Sequence, residues 1–366
     1  MPYFQFKNIK ISAIVSAVPS TIVNVDDYAP IFGCDKVSKF KNGTGIYQYR
    51  KTKESQTASD LCYAAAKDIL EKKNIDKSEL GALIFVAHST DYRRPATACV
   101  LHKRLGLHDD CVAFDISLGC SAFVYGIQTI CSLMTSSNIK KALLLVGETL
   151  TKMAHPMDQT VAMLFGDAGS AILFEKTEST NEEISGILKS DGNGYRSIIA
   201  PAGGFRNMNA PKQEFVCEDG SVRTLYNTIM NGEDVFGFTI SKVPRTIKEF
   251  LSVTNTTIND YDCLALHQAN LFILKTIAKK IKADLSQIPY CLDRYGNTSA
   301  AAIPLVICDK YGNTQAQKTV QFLMCGFGVG LSWGVCSAKI STDDIYPIIE
   351  TDDIFEEGII NDLNDL

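Results

Sequence analysis

The sequence lacks the features that mark membrane, secreted and metal-binding proteins. None of its apolar runs reaches the ~18 residues that a membrane-spanning helix needs. Residues 1–10 lack the charged start, long apolar middle and cleavage site of a signal peptide. The 12 cysteines are scattered without CxxC pairs or histidine-rich spacing, so neither a disulfide framework nor a zinc site is indicated. We therefore expect a cytoplasmic protein with no membrane span and no metal.

Lysine and arginine are absent from residues 343–366, which contain nine acidic residues. Because the whole chain has a net charge of −5, residues 1–342 carry a net charge of +4. This mildly basic body would favour an encounter with an acidic partner. The positive charge is too small and too dispersed to indicate a nucleic-acid partner.

Apolar and amphipathic segments alternate in an order that occurs twice. The continuous apolar run 80–87 predicts a strand that is buried on both faces, and the apolar spacing of 58–73 predicts a helix. In both parts of the chain the order is strand, helix, strand, helix and strand, followed by paired strands. We therefore predict an α/β protein of two similar halves, each with a five-stranded mixed sheet.

Three further segments are given specific structural predictions. Residues 36–50 are expected to form a polar loop. Residues 191–232 are polar and rich in glycine, which indicates an excursion over the surface. The strand expected at 184–189 is predicted to pair with the preceding strand, which ends at Phe174.

Cys120 follows the apolar strand 111–116 and a turn of small residues, and it opens an apolar helix that extends to about Ser137. A thiol in this position is close to the positive end of the helix dipole and to free backbone N–H groups. Both lower the pKa of a thiol and favour a nucleophile. The alternative is that Cys120 is a small buried apolar residue, as most intracellular cysteines are.

Two further polar side chains are expected near Cys120. His267 ends a strand of the second half, and Asn297 lies in a loop before a helix. Active sites of open α/β sheets gather at the carboxyl ends of strands, so the three loops can meet if a pseudo-twofold axis relates the halves. Taken alone, His267 suits a structural role and Asn297 a turn or cap. Their joint placement favours a shared site.

Five motifs occur in the order and spacing of a known family, over about residues 8–340. They are Gly119–Tyr125, Leu164–Ser170, His267–Asn270, Tyr295–Ala301 and Phe327–Gly334. In these motifs the chain resembles the thiolase-fold condensing enzymes, and most closely β-ketoacyl-acyl-carrier-protein synthase III. The resemblance implies a thiolase fold layered α-β-α-β-α, an obligate homodimer, and similar halves at residues 1–180 and 181–342. Residues 343–366 form an acidic extension beyond the family core.

The resemblance also implies a reaction and a catalytic triad. Cys120 would accept an acyl group from a thioester, and malonyl-acyl-carrier protein would then lose carbon dioxide and condense with it to give a β-ketoacyl thioester. His267 and Asn297 would donate hydrogen bonds to the enolate, and the backbone N–H groups of Cys120 and Val329 would stabilise the tetrahedral oxyanion. No cofactor is implied, since phosphopantetheine arrives on the substrate as acyl-carrier protein or acyl-coenzyme A.

Three positions depart from the family at its coenzyme A clamp. Lys39 stands in place of the tryptophan at the adenine end, and Gly43 and Gln159 stand in place of two arginines. A coenzyme A primer is therefore less expected than an acyl group that is already on a carrier protein.

The resemblance also implies other substrate contacts, at the positions of this chain that match the family. The resemblance assigns Ala269 and Asn270 to the pantetheine arm. It assigns Lys279 and Lys280 to docking of an acidic carrier protein, although a solvated helix face is the alternative for these lysines. Arg94 replaces the large apolar residue that closes the partner subunit's acyl tunnel, which predicts a polar tunnel end or an interface ion pair.

Two other functions remain open at this point. One is an acyltransferase that moves an acyl group from a thioester to a hydroxyl or amine without decarboxylation. The other is an inactive dimerising subunit. Retention of His267 and Asn297 counts against the first, and the intact triad counts against the second. For the acidic extension we expect packing against the body or the dimer partner, and a bolder hypothesis places it over the carrier-docking lysines.

Overall fold

The computed structural model describes residues 3–179 and 182–365, so the boundary expected between residues 180 and 181 lies outside the described residues. The strands are β1 (Tyr3–Lys7), β2 (Ile9–Val18), β3 (Ile22–Asn24), β4 (Gln48–Arg50), β5 (Leu80–Val86), β6 (Val112–Ile116), β7 (Lys141–Glu148), β8 (Ala168–Lys176), β9 (Glu183–Ser190), β10 (Ile198–Ile199), β11 (Phe215–Val216), β12 (Val222–Arg223), β13 (Ile229–Met230), β14 (Cys263–Leu266), β15 (Thr319–Gly328), β16 (Ser332–Ser341) and β17 (Ile349–Glu350). The helices are α1 (Ala29–Phe32), α2 (Cys34–Thr44), α3 (Ala58–Lys72), α4 (Thr97–Leu105), α5 (Ala122–Thr135), α6 (Gly232–Thr254), α7 (Leu271–Ile281), α8 (Leu292–Tyr295) and α9 (Ala302–Tyr311).

Two large mixed sheets form the body of the protein. The first has the strand order β17-β2-β8-β7-β5-β6, and the second has the order β1-β9-β16-β15-β14. In the first sheet β5 runs parallel to β6 and β7, whereas β8 runs antiparallel to β7 and β2. In the second sheet only β14 and β15 pair in parallel. The parallel strands β5, β6 and β14 direct their carboxyl ends toward the loops that carry the site.

Five layers result from the packing of helices on these sheets. The central helices α5 and α9 lie between the sheets, and their apolar side chains share one core with residues of both. α3 and α4 cover the outer face of the first sheet, while α6 and α7 cover the outer face of the second. The predicted thiolase fold with α-β-α-β-α layers is therefore confirmed. None of the helices in the described part of the chain is long and apolar enough to cross a membrane.

Two expectations about the sheets are wrong. The first sheet has six strands rather than five, because β17 of the acidic extension pairs in parallel with β2. β9 does not pair with β8 but joins the second sheet, between β1 and β16. The physical reason is that β9 has apolar residues on both faces. Ile184 packs in the core between the sheets, and Ile187 packs in the core beneath α6 and α7.

Residues 36–50 are mainly helix and strand rather than a polar loop. They include most of α2 and all of β4. Val37 is buried and Phe40, one turn later, packs against the same core, so this polar segment has a narrow apolar face. Gly45 ends α2 with a left-handed φ of 76°, which glycine adopts without strain.

The acidic extension packs against the body, as one of the expectations has it. Phe355 lies against α3 and α4, with its ring centroid 4.6 Å from the guanidinium of Arg104. Lys279 and Lys280 on α7 are both exposed, so residues 343–365 do not cover them. The hypothesis that the extension lies over the carrier-docking lysines is therefore wrong for this structure.

Candidate active site

Cys120 lies in the turn between β6 and α5. The helix begins at Ala122, two residues later than expected, and the Ala122 N–H donates to the Gly119 carbonyl at 2.7 Å. The apolar side chains of α5 are buried between the sheets, which fixes the direction in which the turn presents the thiol. Gly328 at the end of β15 comes so close that a Cβ on it would lie 2.8 Å from the Cys120 Sγ. Only glycine therefore fits there.

His267 follows directly on β14, where its N–H donates to the Cys325 carbonyl at 2.8 Å. The imidazole packs edge-to-face on Phe327, with ring centroids 5.2 Å apart. Burial lowers the pKa of His267 to about 3, because an imidazolium would lose its hydration there. The ring is consequently neutral at pH 7. Its buried Nδ1 has no hydrogen-bond partner within the described residues.

Asn297 is held by its own backbone. Its N–H donates to the Leu164 carbonyl at 2.9 Å, and its carbonyl accepts the Gly166 N–H at 3.1 Å. The Oδ1 accepts the Ser299 N–H at 3.0 Å. Because the amide oxygen is engaged in this way, the NH₂ group is the donor that the side chain can present to a ligand.

Ser299 is a further residue of this site, which sequence reasoning missed because its place in the Tyr295–Ala301 motif is the only signal for it. Its Oγ lies 3.5 Å from the Cys120 Sγ. The residue has a φ of 48°, in the left-handed region that is unusual for residues other than glycine. This backbone conformation directs the Ser299 hydroxyl toward the thiol.

The pKa of the Cys120 thiol is raised rather than lowered. Burial is the largest cause, and the charge on Glu148 acts in the same direction. The Ser299 hydroxyl and the backbone N–H groups of Val329 and Cys120 lower the pKa, but by less than burial raises it. The expectation of a lowered thiol pKa is therefore wrong for the free enzyme, because it did not include desolvation.

A cavity of about 740 Å³ connects these groups. Cys120, His267 and Asn297 all line it, together with Val329. One wall comes from the segment that the sequence describes as a surface excursion, since residues 198–200 and the N-terminal turns of α6 face the cavity. That expectation is therefore only partly right, because the segment also forms the site.

The remaining predicted site residues are not all at the cavity. Ala269 and Asn270 line it, and the Asn270 side chain also caps α7 by accepting the Ile273 N–H at 2.8 Å. Lys279 and Lys280 lie farther along α7 and are exposed. Arg94 is exposed in the loop after β5 and does not line the cavity of its own chain.

The positions of the coenzyme A clamp lie at the cavity or beside it. Lys39 is exposed on α2, while Phe40 and Thr44 of the same helix line the cavity. Gln159 also lines the cavity, and its side-chain nitrogen donates to the Asp219 carbonyl at 2.7 Å. No aromatic or guanidinium group replaces the clamp at these positions.

Comparison with known proteins identifies the family of the chain. The family model described as 3-oxoacyl-[acyl-carrier-protein (ACP)] synthase III matches residues 114–192, and the model of its C-terminal part matches residues 251–340. A putative 3-oxoacyl-[acyl-carrier-protein] synthase 3 of Campylobacter jejuni is 32% identical over 351 residues, covering 93% of this chain and 96% of the relative. The chain belongs to the 3-oxoacyl-[acyl-carrier-protein] synthase III family. A synthase III of Clostridioides difficile is 34% identical over 298 residues, covering 81% of this chain and 88% of the relative.

Solved structures of synthase III proteins have the same fold. A 3-oxoacyl-(acyl-carrier protein) synthase from Burkholderia xenovorans LB400 superposes with a TM-score of 0.90 at 33% identity, covering 96% of this chain and 99% of the other. The predicted enzyme class, an acyltransferase of the β-ketoacyl synthase III type, is confirmed by these relatives. They do not favour the acyltransferase that acts without decarboxylation.

Proposed function

We propose that this synthase III transfers an acyl group to Cys120 and then condenses it with malonyl-acyl-carrier protein. The observation that carries the proposal is the convergence of Cys120, His267 and Asn297 in one cavity, from three separate elements. The Val329 N–H lowers the pKa of the Cys120 thiol, and it is a proposed donor to the oxyanion.

In the first half-reaction the Cys120 sulfur attacks the carbonyl of an acyl thioester. The carbonyl oxygen becomes an oxyanion, which accepts hydrogen bonds from the backbone N–H groups of Cys120 and Val329. The bond to the departing sulfur then breaks. The proton of the Cys120 thiol ends on that sulfur, so that an acyl-enzyme and a free thiol of the donor are formed.

In the second half-reaction malonyl thioester loses carbon dioxide and leaves an enolate. The neutral imidazole of His267 donates through Nε2–H, and the Asn297 NH₂ group donates beside it. The enolate carbon attacks the acyl carbonyl on Cys120, and the sulfur leaves and recovers a proton. The β-ketoacyl product stays on the carrier thiol that brought the malonyl group.

Intact-mass analysis tests this function directly. The enzyme is incubated with acyl-carrier-protein and acyl-coenzyme A donors, and malonyl-acyl-carrier protein is then added. We expect one acyl adduct on the wild type, its loss on addition of the malonyl substrate, and a β-ketoacyl product. Cys120→Ala should form no adduct, while Cys325→Ala, which removes a buried thiol away from the cavity, should still load. An adduct on the Cys120→Ala variant would contradict the proposal.

The carrier protein is proposed to dock at α7. The helix begins beside the cavity at Asn270, and Lys279 lies nine residues farther on, about 14 Å along the axis. Exposed lysines at that distance from the mouth suit the acidic surface of a carrier. Replacing Lys279 and Lys280 by Glu should raise the KM for the carrier substrate and leave the KM for a small thioester unchanged. Equal effects on both would contradict docking.

Further proposals concern assembly and location. The chain is proposed to be a homodimer, because β6 is an edge strand whose Val112 is 47% exposed in the single chain. We propose three domains, which are a first half at residues 1–180, a second half at 181–342 and the extension at 343–366. β1 belongs to the first half but pairs in the second sheet, and β17 of the extension pairs in the first sheet. A cytoplasmic location is proposed because all twelve cysteines are free thiols. No resident cofactor takes part in the proposed reaction.

Arg94 is proposed to act in the partner subunit's acyl pocket. It is exposed in the loop that follows β5, which suits contact across a dimer interface. Replacing Arg94 by Phe should change the acyl-chain preference toward chains with an apolar end, because an apolar side chain would then close the tunnel. An unchanged chain-length preference would show that the residue has no part in the pocket.

A further inference from the structure

A second imidazole lies in the catalytic cavity, at a position to which the sequence assigned no function. His88 follows β5 and lines the same cavity as Cys120. Its Nδ1 is 3.0 Å from the point where a Cβ on Gly119 would lie, so the ring packs directly on the turn that presents the nucleophile. About one third of the side chain is exposed, and that part faces the cavity.

His88 is backed by a fully buried carboxylate. Glu148 ends β7, and its side chain accepts the N–H groups of His88 and Ser89 at 2.9 and 3.1 Å and the Ser89 hydroxyl at 2.6 Å. The His88 Nδ1 lies 3.9 Å from the Glu148 Oε1. Burial raises the pKa of Glu148, and His88 is the strongest of the groups that oppose the shift. The imidazole therefore lies directly beside a buried carboxyl group.

The hydrogen bonds that hold the loop after β5 do not require an imidazole at position 88. The backbone N–H of His88 and the two donors of Ser89 already satisfy Glu148, and any residue could supply that N–H. In residues 3–179 and 182–365 the His88 ring makes no hydrogen bond. An unsubstituted acyl chain beside it would remove water from a polar ring without replacing its hydrogen bonds, which is unfavourable.

We propose that His88, supported by Glu148, binds an acyl group that carries an oxygen substituent close to its thioester carbonyl. The substituent is a hydroxyl or a carboxylate, and the imidazole N–H donates to its oxygen. This inference rests on the proposed function, since it concerns the acyl group that Cys120 accepts. It makes His88 a residue that determines which primer is loaded.

Loading of matched N-acetylcysteamine thioesters tests the proposal, because these small donors need neither a carrier protein nor the adenine end of coenzyme A. Butyryl, 3-hydroxybutyryl and succinyl thioesters have four-carbon acyl groups and differ in oxygen substitution. The rate of Cys120 acylation is followed by intact mass. We expect faster loading of an oxygen-bearing group than of butyryl. Faster loading of 3-hydroxybutyryl than of succinyl would identify a hydroxyl as the ligand, and the reverse a carboxylate.

Substitution of His88 provides the decisive comparison. His88→Leu should reduce the preference for the oxygen-bearing group about tenfold, the effect of one lost hydrogen bond. The loss should fall mainly on the oxygen-bearing group, because butyryl makes no hydrogen bond to the imidazole. His108→Leu removes an exposed imidazole outside the cavity and should leave the preference unchanged. If His88→Leu loads neither donor, His88→Gln, which keeps an N–H donor, should retain the preference.

Three results would overturn the inference. The first is a wild type that loads butyryl as fast as both oxygen-bearing groups. The second is a His88→Leu variant that keeps the wild-type preference. The third applies if His88→Leu loads neither donor, and it is a His88→Gln variant that has lost the preference. In each case the proposed function survives, because Cys120 is still acylated. Absence of acylation by every donor would instead overturn the proposed function together with this inference.

Discussion

At the scale of single residues, the groups around Cys120 favour a charge that forms during the reaction more than a resting thiolate. Burial raises the pKa of the thiol, so most of it is protonated in the free enzyme at neutral pH. The N–H groups of Cys120 and Val329 lower that pKa, but they are also the donors proposed for the oxyanion. The same two N–H groups would therefore act on the sulfur before the reaction and on the oxyanion during it.

Ser299 should affect the thiol in a way that a pH profile detects. Its hydroxyl lowers the pKa of Cys120, so Ser299→Ala should raise that pKa further. Iodoacetamide reacts with the thiolate, so labelling at pH 8 should slow about threefold, the effect of ~0.7 kcal/mol for a weak contact to sulfur. The measured profile should move to higher pH. A shift to lower pH would contradict this role.

Gly328 should be irreplaceable at the site. A Cβ there would lie 2.6 Å from the Cys120 Cβ, and the φ of 157° disfavours any other residue. Gly328→Ala should displace the thiol and reduce the acylation rate by at least tenfold, with ~1–3 kcal/mol lost from the free energy of unfolding. Gly43→Ala is the matched control, because a Cβ at Gly43 meets nothing within 4 Å. Equal acylation rates in the two variants would refute the steric argument.

At the scale of elements, the sequence predicts the strands and loops that depend on the local pattern of residues. Apolar runs identify the buried strands, and the family motifs locate the loops of Cys120, His267 and Asn297. The partner of β9 could not be predicted, because a run with apolar residues on both faces fits either sheet. The pKa of Cys120 could not be predicted either, since the degree of burial depends on Gly328 and β15, which are distant in sequence.

The acidic extension should stabilise the protein through Phe355. Its ring packs on Arg104, whose guanidinium is also paired with the buried carboxylate of Asp60 at 2.9 Å. Phe355→Ala should lower the free energy of unfolding by ~2 kcal/mol, because a half-buried ring and a cation–π contact are lost. Phe205→Ala, at a ring that is 74% exposed, should change it by less than ~0.5 kcal/mol in the same urea titration. Similar losses in both variants would show that the extension contributes nothing specific.

At the scale of the whole molecule, the exposed edge of β6 should control assembly. Val112→Asp would place a charge on the proposed interface of each copy and should break the dimer. Light scattering coupled to gel filtration should then give the 40.1 kDa mass of one chain instead of twice that mass. Val216→Asp, at a residue that is 78% exposed on β11, should leave the dimer intact. A wild type that elutes as a single chain would contradict the proposed dimer.

The strand that the acidic extension adds to the first sheet has a consequence for how far association can go. β17 pairs with only two residues of β2, so the last strand on that side of the sheet is very short. The opposite side, at β6, remains a full five-residue strand. In the proposed twofold dimer the β6 edges of the two copies would meet, and only the β17 side of each sheet would be left. We therefore expect association to stop at two chains, because so short a terminal strand offers few backbone groups for another chain to pair with.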